Sequence, residues 1–205
     1  MAATRLLLTT RTATIATVAC AALAGCGGSG SGSGARDLET LRLPTPNMVP
    51  TFKVGAMVKA DRAAYTSSRG PLRGDIVILY PPLGAAQQTC GNAAQPSDGH
   101  PCERPTPATD RTVKFIQRVV GLPGEWLYVK GNRTFVSPVQ TGPYRMLDEP
   151  FIASGTPCDD LCNLHKPIQI PSGHYFVMGD NRGVSYDSRA WGPAPLSSVL
   201  AKIVR

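Results

Sequence analysis

The chain has 205 residues, 42% of them hydrophobic, which is enough for one domain with a sizeable core. Its 21 glycines and 19 prolines argue against a helical bundle and for a turn-rich β protein. Only 17% of residues are charged, yet the net charge is +7, which points to an anionic partner: nucleic acid or phospholipid, depending on compartment.

The N-terminus addresses the compartment. Arg5 and Arg11 precede a thinly apolar stretch, Thr12 to Ala24, which then gives way to small residues. This is the pattern of a secretory leader, and the run is too short and too Thr-rich for a spanning helix, which needs about 20 apolar residues. "LAGC", Leu23 to Cys26, resembles the lipobox of bacterial lipoproteins, in which the Cys takes the lipid. A plain signal peptide or a short uncleaved anchor are the alternatives. The Gly/Ser run Gly27 to Gly34 that follows has the composition of a flexible tether. The expected organisation is therefore a leader over 1–25, a lipid-attachment Cys26 with tether over 26–37, and a folded domain over 38–205. Lipid chains contribute about 0.8 kcal/mol per buried CH₂, so several of them hold a protein on a membrane face. Removing Met1 to Gly25 takes two arginines with it and lowers the charge from +7 to +5. Outside the cytoplasm that charge has phospholipid as its counterpart, and no nucleic-acid partner is expected.

The next segment, "PTPNMVPTF" (Pro44 to Phe52), carries three prolines, Pro44, Pro46 and Pro50. They fix their own φ and bias the preceding residues toward extended backbone, so the segment is a stiff platform with Asn47 at its centre. Just before it, Leu38 to Leu43 is read as a short amphipathic helix. "RGDIVILYPP" is a turn followed by a β-branched strand, Ile76 to Leu79. "KFIQRVVGLPGEWLYVKGN" gives a strand, a turn over Gly121 to Gly124, and a second strand ending at Gly131-Asn132. "HYFVMGDNRGVSYDSRAWG" offers a strand, Tyr175 to Met178, and then a polar loop. Two long, weakly periodic stretches, 81–110 and 137–171, are read as loop insertions, each carrying a Cys pair in place of a core. In an oxidising compartment Cys90, Cys102, Cys158 and Cys162 allow three pairings, and the local pairs Cys90–Cys102 and Cys158–Cys162 are favoured. Zinc is not expected, because the cysteines form no CxxC pairs and His100, His165 and His174 are scattered. No cofactor is called for.

Four of these segments, in order, resemble the type I signal peptidases, serine endopeptidases that remove leader peptides from exported proteins. "NMVPTFKVGAMVKAD" is similar to the family's nucleophile segment, Ser-Met-x-Pro-Thr-Leu. "RGDIVIL" matches the following strand, "QRVVGLPGE" the base segment Lys-Arg-Val-x-Gly-x-Pro-Gly-Asp, and "GDNRGVSYDSRAWG" the last signature. The resemblance implies a mainly β fold with a coiled β-barrel core and a small inserted cysteine-containing lobe. It also implies an extended peptide as ligand, received as a strand at a sheet edge.

In that family a serine hydroxyl attacks the scissile carbonyl and a neutral lysine accepts its proton. Here the nucleophile position is Asn47 and the base position is Gln117, both amides that neither attack nor take a proton near neutral pH. Thr45 stands where a hydroxyl helps bind the oxyanion, so Thr45 and the Asn47 N–H are expected to form a donor pair. Ser185, Asp187 and Arg189 alternate and would share one face of an extended segment, with Asp187 and Arg189 tying a loop to the barrel. Asn47 and Gln117 are roughly matched in volume to Ser and Lys and can hydrogen-bond each other, so the fold need not suffer. Lys114, three residues before Gln117, is placed on the opposite strand face, and Lys53 and Lys59 are read as solvated surface lysines.

The reading is a signal-peptidase-like lipoprotein on the outer face of a bacterial membrane, catalytically inactive, binding extended peptides or an envelope protein. The alternatives are an active serine peptidase with a relocated or partner-supplied nucleophile or base, and a structural envelope lipoprotein.

Overall fold

All four residues of the β-branched run Ile76–Leu79 are buried. Successive side chains of a strand point to opposite faces, so burial of every residue means that both faces are covered. A computed structural model of the chain describes residues 36–204 apart from 92, 95–100, 103–108 and 156–161. In chain order its strands are β1 (Leu38–Arg42), β2 (Met57–Asp61), β3 (Ile76–Leu79), β4 (Phe115–Gly121), β5 (Trp126–Lys130), β6 (Arg133–Ser137), β7 (Arg145–Met146), β8 (Leu164–Gln169), β9 (His174–Met178), β10 (Ala194–Pro195) and β11 (Val199–Val204). A short helix, α1 (Ser188–Trp191), precedes β10.

The strands form a seven-stranded sheet, β1-β2-β11-β3-β4-β9-β10, and a four-stranded sheet, β7-β6-β5-β8. The mainly β class is as expected, but the sheets are open and not closed into a barrel. At one end of the large sheet β10 has only two residues, and its Pro195 has no N–H to offer a further strand. Leu38 to Leu43 also departs from expectation. It is strand β1, paired in continuous register with β2 from Leu38↔Asp61 to Arg42↔Met57, so sheet pairing overrides the local helical spacing of its leucines.

The segment 137–171 is not a plain loop insertion. It supplies β7 and β8 to the small sheet and places Leu147, Leu164 and Ile170 in a core with Leu127, Val129 and Phe176. Its strand signal is weak because β8 is an edge strand containing Pro167, which an edge tolerates. The β5–β6 hairpin turns at Gly131 and Asn132, both at positive φ (55° and 68°), the backbone of a two-residue type I′ loop.

β9 joins the two sheets' interiors. Tyr175 and Val177 pack with Val77, Val119 and Trp191, while Phe176 and Met178 pack with Leu127 and Leu164. At this seam Gly121 has no space for a side chain: a Cβ there would lie 2.3 Å from Ile170 Cδ1 and 2.8 Å from Phe176 Cβ. A third core under β1, β2 and β11 holds Met48, Ile76, Ile78 and Ile203.

The lobe 81–110 is fastened by a disulfide between Cys90 and Cys102, as the spacing favoured. Cys102 is buried against Ala190 and Trp191, and its N–H donates to Ala190 O at 2.9 Å. The bond spans a separation of 12 residues, so replacing both cysteines by serine is expected to lower stability by about 3 kcal/mol. Urea titration under oxidising conditions measures this; a loss below about 1 kcal/mol would show that the lobe needs no staple. Cys162 is disulfide-bonded as well. Cys158 lies outside the described residues, as do the leader 1–25, Cys26 and the Gly/Ser run.

Candidate functional site

The proline-rich platform is a single 3-10 turn, Pro46–Met48, with Pro46 at its start, where a missing N–H leaves nothing unpaired. Met48 is buried at 1% exposure and anchors the turn in the third core. From the other side Asn181 holds it: its backbone N–H donates to Asn47 O at 3.0 Å, and its Nδ2 donates to Pro46 O at 3.2 Å. Gly179 makes this approach feasible, since a Cβ there would sit 2.3 Å from Ser185 Oγ and 2.6 Å from Asn47 O. The glycine of "GDNR" is thus a packing requirement of the platform.

Asn47 and Gln117 both line a groove of about 420 Å³, with Met48, Phe115, Val184 and Tyr186 among its walls. No hydrogen bond joins the two amides, although their chemistry allows one. Asn47 Nδ2 donates to Ile116 O at 2.6 Å, and its Oδ1 accepts from Thr45 Oγ1 at 2.6 Å. Thr45 lines the groove as well, and its hydroxyl proton is engaged by the Asn47 amide. Gln117, on β4 opposite Val77, is 2% exposed. Its Oε1 accepts from Ser185 Oγ at 3.3 Å and its Nε2 donates to Tyr186 O at 3.4 Å. Ser185 and Gln117 are thus brought together.

Lys114 also lines the groove, because it precedes β4 and escapes the alternation that would have put it on the far face. Its ammonium lies 3.7 Å from Glu39 Oε1. Lys53 and Lys59 are exposed, as read from the sequence.

Asp187 and Arg189 do tie the last signature together, although not through an extended segment. Asp187 caps α1, accepting from the Arg189 N–H, and the two side chains pair at 2.8 Å with both essentially inaccessible to solvent. Asp187 also accepts from the Gly179 N–H at 3.0 Å, and Arg189 Nη2 donates to the carbonyls of Arg182 and Ser185 at 2.8 and 3.0 Å. One ion pair thus fixes both ends of the loop from Gly179 to Arg189.

Gly179 to Arg182 reads from the sequence as turn and buried network, but the partners of its two charges, in two further buried ion pairs, do not. Arg118 grips Asp180 with two bonds of 2.8 and 2.6 Å, reaches Gly74 O at 2.9 Å, and stacks 3.9 Å over the Phe151 ring. Asp180 also accepts from Thr51 Oγ1, which connects "PTF" of the platform to "GDNR". Arg182 pairs with Glu149 at 2.5 Å and donates to Asn132 O, while Glu149 accepts from the Thr134 N–H and hydroxyl, each at 2.9 Å. Burial pulls the Arg182 guanidinium below its ordinary value, with Glu149 beside it opposing that fall. Arg118 had a signal, a charge inside an apolar strand, which demands a buried partner. Glu149 had none, lying in a stretch without periodicity.

Comparison with known proteins places these features. The family model described as signal peptidase, peptidase S26, matches residues 33–205. A signal peptidase I of Leptolyngbya laminosa is 30% identical over 166 residues, covering 81% of this chain and 66% of its own length. Thylakoidal processing peptidase 1 of Arabidopsis thaliana is 28% identical over 167 residues, covering 81% of this chain and 41% of its own length. This chain thus spans about two thirds or less of those curated relatives. A crystal structure of a signal peptidase I from Enterococcus faecalis aligns with a TM-score of 0.40 at 23% identity, covering 65% of this chain and 97% of that one. With the family model running from residue 33 through every segment of the platform, β4 and the last signature, the chain belongs to the type I signal peptidase family.

Proposed function

We propose that this family member binds an extended peptide in the groove without cleaving it, on the outer face of a membrane to which Cys26 anchors it by lipid. The observation that carries the reading is that amides, Asn47 and Gln117, each hydrogen-bonded to its own neighbours, occupy the positions that resemble the family's nucleophile and base. Neither supplies an attacking oxygen or a proton acceptor near neutral pH, and the lysine at the groove wall directs its ammonium to Glu39. Binding needs neither group. β9 pairs with β4 only from Arg118 onward, so among the described residues Phe115 to Gln117 have no strand partner on the groove side. An incoming peptide adds there as a strand, its backbone meeting β4 and its side chains meeting Phe115, Val184 and Tyr186. The envelope partner, if a protein, presents such a segment.

The test uses the detergent-solubilised full chain with a fluorogenic signal-peptide substrate containing Ala-x-Ala. Saturable binding and no turnover over hours are expected. Turnover that disappears on changing Asn47 or Gln117 would overturn the reading, and absence of any saturable binding would leave a structural envelope role in its place.

A further inference from the structure

Backbone groups of an antiparallel strand alternate between its two neighbours. On β4, Val119 turns toward β3: its N–H donates to Asp75 O at 2.9 Å and its carbonyl accepts from the Gly74 N–H at 2.8 Å. Arg118 therefore turns toward β9, where it pairs with Met178. Two residues earlier, Ile116 turns the same way, but β9 no longer runs beside it. The Ile116 carbonyl is thus an acceptor on an unpaired strand edge at the groove. Such an acceptor is what the N–H of an added strand would engage.

It is already engaged. Asn47 Nδ2 donates to it at 2.6 Å, shorter than the usual N–H···O distance. The amide is held in that orientation by the Thr45 hydroxyl on its other end, also at 2.6 Å. Turning the amide over would set its oxygen against the Ile116 carbonyl, two acceptors in contact. The chain Thr45–Asn47–Ile116 therefore has one preferred sense.

We propose that Thr45 and Asn47 form a latch on the free edge of β4: the Asn47 carboxamide stands in for the N–H of a bound strand, and an extended peptide must displace it. The proposal rests on the peptide-binding reading above and adds to it a specificity determinant. Because one hydrogen bond to Ile116 O is exchanged for another, this carbonyl adds little to the net affinity of the native protein, and only a peptide that gains enough from the groove walls opens the latch. The same contact covers an edge that would otherwise recruit strands at random.

The test is a titration of the full chain in detergent with a fluorescently labelled Ala-x-Ala peptide, comparing the native protein with Asn47→Ala and Thr45→Val. Thr45 is exposed and its replacement leaves the core untouched, so it serves even where Asn47→Ala folds poorly. Asn47→Ala frees the edge and is expected to bind the peptide about three- to tenfold more tightly, the worth of one net hydrogen bond, while Thr45→Val keeps the Asn47 bond to Ile116 O but removes the hydroxyl that orients the amide and is expected to tighten binding by a smaller factor. Equal or weaker binding by a folded variant overturns the latch while leaving the peptide reading in place. Failure of native protein and variants alike to bind saturably overturns both.

Discussion

Asp187→Ala is expected to lower the unfolding free energy by about 3–5 kcal/mol, the typical loss when one member of a buried ion pair is removed. Arg189 is 1% exposed, so its guanidinium stays charged in the interior with two of its donors stripped of the carboxylate they meet at 2.8 and 2.9 Å. The Gly179 N–H loses its acceptor and α1 loses its cap in the same step. Asp187→Asn keeps the shape and an acceptor oxygen but not the charge, and should fall between the two. Urea unfolding followed by circular dichroism gives the result as a shift in midpoint at constant slope. A loss below about 1 kcal/mol would mean that Arg189 finds full compensation elsewhere, and that the loop does not depend on this pair.

The double change Asn47→Ser with Gln117→Lys is expected to create an acylatable centre. Position 117 is 2% exposed, and burial disfavours the charged form of an amine, which is the neutral state a lysine base needs. Ser185, whose hydroxyl lies 3.3 Å from Gln117 Oε1, is placed to orient that amine. A nucleophile and a base act as a unit, so each single variant should show little labelling by a serine-directed acylating probe. The double variant should exceed either single by roughly 10² or more, the scale of general-base assistance. A folded double variant that forms no adduct would show that these positions are not the vacated reaction centre.

Much of this architecture was legible where local chemistry and the final environment agree. The β-branched run at Ile76, the glycine-asparagine turn at 131–132 and the closely spaced Cys90 and Cys102 each act through neighbours in sequence. The site's parts could be placed by the four ordered segments, because each segment is a local pattern. Long-range partners were not legible. Nothing near Glu149 announces Arg182, which is 33 residues away, and nothing near Asn47 announces the Ile116 carbonyl, 69 residues on. The leucines of β1 satisfy a helical spacing equally well, and only the pairing with β2 decides the matter. Whether the sheets closed or stayed open depended on what the edges offer each other, a property of two-residue β10 and Pro195 that no hydrophobic pattern encodes.

The alternation along β9 has a consequence for how the molecule comes apart. Because Val177 belongs to one interior and Phe176 to the next, no denaturant concentration should strip the smaller sheet away while the larger survives. Amide hydrogen exchange should find β4, β5 and β9 protected to a common free energy, opening as one cooperative block.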